Sequence, residues 1–100
     1  DREVCEIITL NALDKGAGVA TALLESVARV ATAAGCERLE VTTTNDNLAA
    51  LALYQKRGFV LTALHVGAVD RSRQIKPSIP RIAANGLPIR DELVLTRPLP

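Results

Sequence analysis

The sequence predicts an α/β fold with the order β-α-β-α-β-long loop-β. Two observations carry this prediction: apolar, β-branched runs alternate with alanine-rich stretches of helical period, and turns rich in glycine or asparagine separate them. A strand, a crossover helix and a second strand form a βαβ unit, whose strands run parallel. With 100 residues the chain is expected to be one domain, residues 1–100.

The first strand is predicted over residues 4–10 (VCEIITL), a nearly continuous apolar run of the kind buried on both faces of a sheet. A glycine loop with Gly16 and Gly18 follows, and a helix begins directly after it. Such a junction leaves backbone N–H groups free at the helix start, which favours binding of an anion, most often a phosphate. Thr21 stands where the G-x-G-x-x-G dinucleotide motif needs its third glycine, and no Walker Gly-Lys-Ser/Thr follows. A tight turn without a ligand is the alternative interpretation.

The first helix is predicted over residues 19–34, and Gly35 ends it. One apolar stripe recurs at helical spacing and is expected to face the core: Val19, Leu23, Val27, Val30 and Ala34.

The remaining elements alternate in the same way. Residues 38–44 (RLEVTTT) form a β-branched strand, and the run Asn45-Asp46-Asn47 supplies a helix cap before a short helix at residues 48–57. Strands at residues 59–66 and 91–97 flank a long connection, residues 67–90, which shows no clear period. This connection is basic and is predicted to be a solvated loop or, alternatively, a guide for an anionic substrate.

The composition excludes several classes of function. A net charge of +1 argues against a nucleic-acid partner that is bound through phosphate neutralisation. No apolar run approaches the roughly 20 residues of a membrane span, and no secretory leader is visible. The two cysteines, Cys5 and Cys36, are too few for a disulfide framework, so two reduced thiols and a cytoplasmic location are expected. Nothing in the sequence predicts a metal site.

Two motifs resemble those of the GNAT superfamily, the acyl-CoA-dependent N-acyltransferases. Lys15-x-x-Gly18-x-Ala20 is similar to the superfamily's Q/R-x-x-G-x-G/A pyrophosphate loop, with Lys in the first position. The stretch from Asn47 to Phe59 (NLAALALYQKRGF) resembles its N-x-x-A-x-x-L-Y-x-x-x-G-F signature. The interval between the motifs fits a helix plus a strand, and the resemblance covers residues 4–66.

The resemblance implies the C-terminal portion of a GNAT-like fold, in which the pantetheine arm of acetyl-CoA lies between strands 4–10 and 38–44. The backbone of Ile8, Thr9 and Leu10 would bond the pantetheine amides, and Asn47 would bond the same arm. The pyrophosphate would lie over the glycine loop and the helix start, formed by Lys15, Gly16, Ala17, Gly18, Val19, Ala20 and Thr21.

The resemblance also implies catalytic roles. Tyr54 would be the general acid that protonates the leaving thiolate, although it could equally be an ordinary core residue. Glu6 and Glu40 are the two acids in the site-forming strands, and either could be the general base. Alternatively, each could face solvent or pair with Arg38 or Arg2.

The GNAT fold has further helices and strands before the strand that precedes the glycine loop. The chain is therefore expected to be a partial domain: a fragment of a longer protein, a minimal form that completes its sheet with a partner chain, or a remnant that binds little. Because residues 4–10 would then be an exposed apolar edge, a homodimer or higher oligomer is predicted.

The function implied is an N-acetyltransferase that moves an acetyl group from acetyl-CoA to a primary amine. The alternative is a non-catalytic CoA-binding or oligomerisation module. The acceptor amine stays open at this stage.

Overall fold

The elements follow the predicted order, with one additional helix. A computed structural model describes residues 3–7 and 17–100, with side-chain positions from residue 18 onward. Within these residues the chain forms β1 (Glu3–Ile7), α1 (Ala17–Ala33), β2 (Cys36–Thr44), α2 (Leu48–Lys56), β3 (Val60–His65), α3 (Ala68–Ile75) and β4 (Glu92–Pro98). The predicted α/β class is confirmed, and residues 8–10 of the predicted first strand lie outside the described residues.

The described strands form a single four-stranded sheet in the order β1-β2-β4-β3. β1 pairs with β2 in parallel, from Glu3↔Cys36 to Ile7↔Val41, which confirms the predicted βαβ unit. β4 is antiparallel to both of its neighbours. In this part of the chain, β1 and β3 are therefore the outer strands.

Both α1 and α2 pack against one face of the sheet and share one core. Alternation along a strand directs every second side chain to the same face, so Leu39 and Val41 of β2 point to the helices with Leu95 of β4. The largest fully buried side chains are Leu24, Leu39 and Leu95. Arg97 of β4 also binds the Glu25 carboxylate of α1 through two hydrogen bonds, of 2.9 and 3.2 Å.

The prediction of which face of α1 is buried is wrong. Val19, Leu23 and Val30 of the predicted stripe are 44%, 43% and 70% exposed. The buried face is instead rich in alanine: Ala20, Leu24, Ala28 and Ala31. Small side chains let the helix backbone lie close to the sheet, whereas a stripe of valines would hold it away. Both stripes satisfy the helical period, so side-chain size alone suggested the wrong one.

The predicted structureless connection contains α3, which corrects that prediction. The sequence pattern did not predict this helix because its buried face holds one apolar residue, Val69, and a buried arginine, Arg73. The Arg73 guanidinium donates to the Asp70 carboxylate and to three backbone carbonyls, those of Ile79, Pro80 and Ile89. Apolar periodicity cannot predict a helix in which an arginine takes a buried position.

None of the helices in the described part of the chain has the length and apolar character needed to cross a membrane.

Cys36 is buried at the start of β2 and is disulfide-bonded, so the expectation of a reduced thiol is wrong for this residue.

Candidate functional site

The site predicted from the sequence falls at one edge of the sheet, where β2 ends. α1 finishes shortly before β2 begins and packs along it, so the N-terminus of α1 lies near the far end of β2, at Thr44. α2 begins at the same edge, after the turn that follows Thr44. The described pairing of β1 with β2 stops at Ile7↔Val41, and beyond it β2 pairs with β4 alone among the described strands. The fold thus brings two helix N-termini to the carboxyl end of a parallel strand pair, a position where α/β proteins bind ligands.

The first turn of α1 presents exposed backbone at Gly18 and Val19. Its leading N–H groups have no partner within the helix, and no acidic residue stands in this turn to compete with an anion. Gly18 and Val19 are exposed, Thr21 is half-buried and Ala20 is turned into the core. A Cβ added to Gly18 would meet no atom of the described residues within 4 Å.

Several predicted ligand-binding residues lie outside the described residues. These are Ile8, Thr9, Leu10, Lys15 and Gly16. Ala17 is described as the first residue of α1 by its backbone alone. The structure therefore describes only the helical part of the predicted pyrophosphate-binding segment, residues 17–21.

Asn47 is the N-cap of α2. Its Oδ1 accepts a hydrogen bond from the backbone N–H of Ala50, at 3.2 Å. This cap uses the amide oxygen alone, and Nδ2 makes no hydrogen bond to a described residue. The side chain can therefore cap the helix and donate to a ligand at the same time, so the two roles predicted for it are compatible.

Tyr54 is packed inside the core, where it is 4% exposed. Its ring lies against Phe59, with the ring centroids 5.6 Å apart and the planes at 57°. Gly58 makes this contact possible because its φ of 93° reverses the chain, and Phe59 N–H then donates to the carbonyl of Tyr54. Burial raises the pKa of the Tyr54 hydroxyl above its usual 10.0. The hydroxyl therefore keeps its proton at neutral pH, as a general acid must.

The two candidate general bases are neighbours in the sheet. Glu6 of β1 and Glu40 of β2 are register partners, and Glu40 is also paired with Thr96 of β4. The Glu40 side chain is half-buried and forms no ion pair with any residue whose side chain is described, including Arg38. The Glu6 side chain lies outside the described residues, so its role stays a prediction.

Asn45, predicted only as a possible helix cap, joins two distant parts of the chain. Its Oδ1 accepts hydrogen bonds from the N–H groups of Arg90 and Asp91, at 3.0 and 2.9 Å. Its Nδ2 donates to the Pro88 carbonyl at 2.8 Å. The sequence indicates such a role only indirectly: Asn45, Asp46 and Asn47 can all cap a helix, and α2 needs only one of them. Asn45 thereby fastens the end of the long connection to the turn before α2.

Asp91 is a second anchor of this connection. Its carboxylate accepts hydrogen bonds from the Arg90 side chain and from the Gly67 N–H group, and these bonds, the Arg90 bond foremost, lower its pKa. Two basic residues of the connection have partners in the structure: the exposed Arg90 binds Asp91, and the buried Arg73 binds carbonyls. Lys76 and Arg81 stay exposed. The connection is largely exposed, which agrees with the predicted solvated segment, but it contains α3 and is held by internal hydrogen bonds.

The arrangement of these elements is that of acetyltransferases. A GNAT family acetyltransferase from Elizabethkingia anophelis, solved with acetyl-CoA bound, superposes with a TM-score of 0.77 at 28% identity, over 99% of this chain and 63% of that one. An IAA acetyltransferase from Bacillus cereus superposes with a TM-score of 0.73 at 31% identity, over 84% of this chain and 53% of that one.

The sequence model of the Acetyltransferase (GNAT) family matches residues 3–59, which include both motifs. The chain belongs to this family. It is 44% identical over 97 residues to the uncharacterised Bacillus subtilis protein YdhI, and the match covers 97% of this chain. The chain spans 61% of the length of that relative.

Proposed function

We propose that the chain acts as an N-acetyltransferase that moves the acetyl group of acetyl-CoA to a primary amine. One observation carries the proposal: the first turn of α1, at Gly18, and the Asn47 cap of α2 lie at the same sheet edge. The first supplies backbone N–H donors and a positive helix end for a pyrophosphate. The second supplies a free amide donor for the pantetheine arm. The relative from Elizabethkingia anophelis, which holds acetyl-CoA, supports the choice of ligand.

The proposed reaction is direct transfer. The amine nitrogen attacks the thioester carbonyl carbon, a new C–N bond forms, and the C–S bond breaks. Tyr54 gives its hydroxyl proton to the departing thiolate. The proton lost by the amine passes to Glu6 or Glu40, directly or through a water molecule. The backbone of Ile8, Thr9 and Leu10, which lie outside the described residues, would bind the pantetheine amides in the manner of an added strand.

The second candidate function is CoA binding without transfer. The burial of Tyr54 in the core favours it, because a residue that is 4% exposed can be explained by packing alone. The two candidates agree on the ligand and differ on the chemistry. Both require acetyl-CoA to bind, and only the first requires free thiol to appear when an amine is added.

The test measures acetyl-CoA binding by calorimetry and thiol release in the presence of a panel of primary amines. A transferase binds acetyl-CoA and releases thiol with at least one amine. Binding without thiol release selects the second candidate, and absence of binding contradicts both.

We also propose that the chain assembles through the free edge of β1. The described part of this strand pairs on one side only, with β2. An outer strand offers unpaired N–H and C=O groups that a second chain can extend. A homodimer is the simplest assembly of this kind.

A further inference from the structure

A cavity of about 380 Å³ lies between the second half of α1 and the segment that follows β4. Ala28 and Ala33 present small side chains to it from α1, and Leu99 and Pro100 form the opposite wall. A helix rises about 1.5 Å per residue, which puts Gly18 roughly 15 Å from Ala28 along α1. The cavity is therefore separate from the proposed acetyl-CoA site.

The floor of the cavity is apolar and needs no hydrogen bond from a ligand. Ala28 is buried, and Leu99 packs against the core. The Thr32 hydroxyl, also in the lining, donates to the Ala28 carbonyl at 2.8 Å. The Leu99 N–H donates to the Glu37 carbonyl at 2.9 Å, which holds this wall against β2. A preformed apolar surface of this kind can bind an apolar body without first being ordered.

The charged residues beside this floor carry an excess of positive charge. Glu25, Arg29 and Arg97 line the cavity, and Glu25 is the only acid in its described lining. Arg97 donates to both carboxylate oxygens of Glu25. This hydrogen bonding foremost, and then the charges of Arg97, Arg57 and Arg29, lower the pKa of Glu25, so the carboxylate is ionised at neutral pH. One negative charge is thus surrounded by three positive ones.

Arg29 is the cation of this cluster that can reach a ligand in the cavity. Its side chain is exposed and, within the described part of the chain, donates one hydrogen bond, to Ser26 Oγ at 3.2 Å. It forms no ion pair with any side chain that the structure describes. A guanidinium has five N–H donors in a planar fork, which fits the two oxygens of a carboxylate. Arg29 therefore places a carboxylate-binding group beside an apolar cavity.

We infer that this cavity is a second binding site, which takes a small carboxylic acid with an apolar body. Arg29 binds the carboxylate, and Ala28, Ala33 and Leu99 contact the apolar body. The excess of positive charge selects an acid over an amine, and the apolar floor suits a short alkyl chain. The site goes beyond the proposed function and does not depend on it.

The experiment adds hexanoate to the whole chain at constant ionic strength and follows the backbone amide NMR signals. Hexanol and hexylammonium are the comparisons, because they share the alkyl chain and differ in the charge of the head group. Arg29→Gln removes the proposed carboxylate-binding cation, and Arg81→Gln is its control because Arg81 is exposed and outside the lining. Ala33→Leu fills the cavity. Its matched control is Ala34→Leu, at an exposed neighbouring residue that does not line the cavity.

Hexanoate should shift the signals of residues 28–33 and 99 in a saturable way in the wild type and in both control variants. Arg29→Gln and Ala33→Leu should each weaken the apparent affinity for hexanoate about tenfold. Hexanol should bind about tenfold more weakly than hexanoate, and hexylammonium should leave these signals unshifted. Equal affinities for hexanoate and hexanol, or unchanged hexanoate binding in Arg29→Gln or Ala33→Leu, would overturn the inference. Shifts confined to residues 17–21 would also overturn it, because they would place the carboxylate at the start of α1.

Discussion

At the scale of single residues, Tyr54 is a packed core residue and also the proposed general acid. Its ring fills the core beside Phe59, and burial keeps its hydroxyl protonated. Because its folded pKa is raised, Tyr54 contributes stability below about pH 10 that is lost as the pH rises through the folded value. At neutral pH this contribution is fully present, so the general-acid role and the stable fold require the same protonation state.

The Tyr54→Phe variant separates the two roles. Phenylalanine keeps the ring contact with Phe59 and removes the transferable proton, so the melting temperature should change little. Turnover should fall about a hundredfold, while the affinity for acetyl-CoA should stay within about twofold of the wild type. Turnover is measured by thiol release, and affinity by calorimetry. Unchanged turnover in this variant would assign Tyr54 to packing alone.

At the scale of elements, α1 carries two apolar stripes, and the fold uses the one with the smaller side chains. Leu24 is fully buried at its centre, whereas Leu23, the next residue in the chain, is 43% exposed. The two leucines have the same size and helix propensity. They therefore form a matched pair for testing which face of the helix supports the fold.

Leu24→Ala should lower the free energy of unfolding by about 3 kcal/mol, because it leaves a cavity among buried side chains. Leu23→Ala should change it by at most about 1 kcal/mol. Urea unfolding at a fixed protein concentration measures both values. Equal losses in the two variants would mean that the stripe of larger side chains is also buried in solution.

Elements with regular apolar patterns could be predicted from the sequence, and those held by polar contacts could not. The strands and the first two helices follow from alternation, period and capping residues such as Asn47. α3 depends on the buried Arg73, whose carbonyl partners follow it by 6 to 16 residues in the chain. Asn45 likewise bonds residues 43 to 46 positions away, a contact that no local pattern encodes. In the site, the Asn47 cap follows from sequence, but the bonds by which Asn45 holds residues 88–91 do not.

At the scale of the whole molecule, the two outer strands of the described sheet, β1 and β3, differ in their surroundings. β1 precedes the residues proposed to bind the pantetheine arm and is paired on one side in the described region. β3 is exposed along its whole length and pairs with β4. The proposed dimer uses β1, which joins assembly to the ligand site.

Light scattering at micromolar concentration should therefore give the mass of a dimer. The reason is that strand addition along β1 satisfies backbone groups that water alone would otherwise satisfy. A monomeric mass under the same conditions would contradict assembly through this edge, while leaving the ligand site untouched.

The central claim, that acetyl-CoA binds over the first turn of α1, is tested most directly by calorimetry on the wild type and Gly18→Ala. The added methyl group meets no atom of the described residues within 4 Å and replaces glycine in a helix, so the variant should be as stable as the wild type or more so. The same methyl group occupies the space that the pyrophosphate needs. The account predicts that the wild type binds acetyl-CoA and that Gly18→Ala binds it about tenfold more weakly. Equal affinity in the two proteins, or no binding by the wild type, would contradict it.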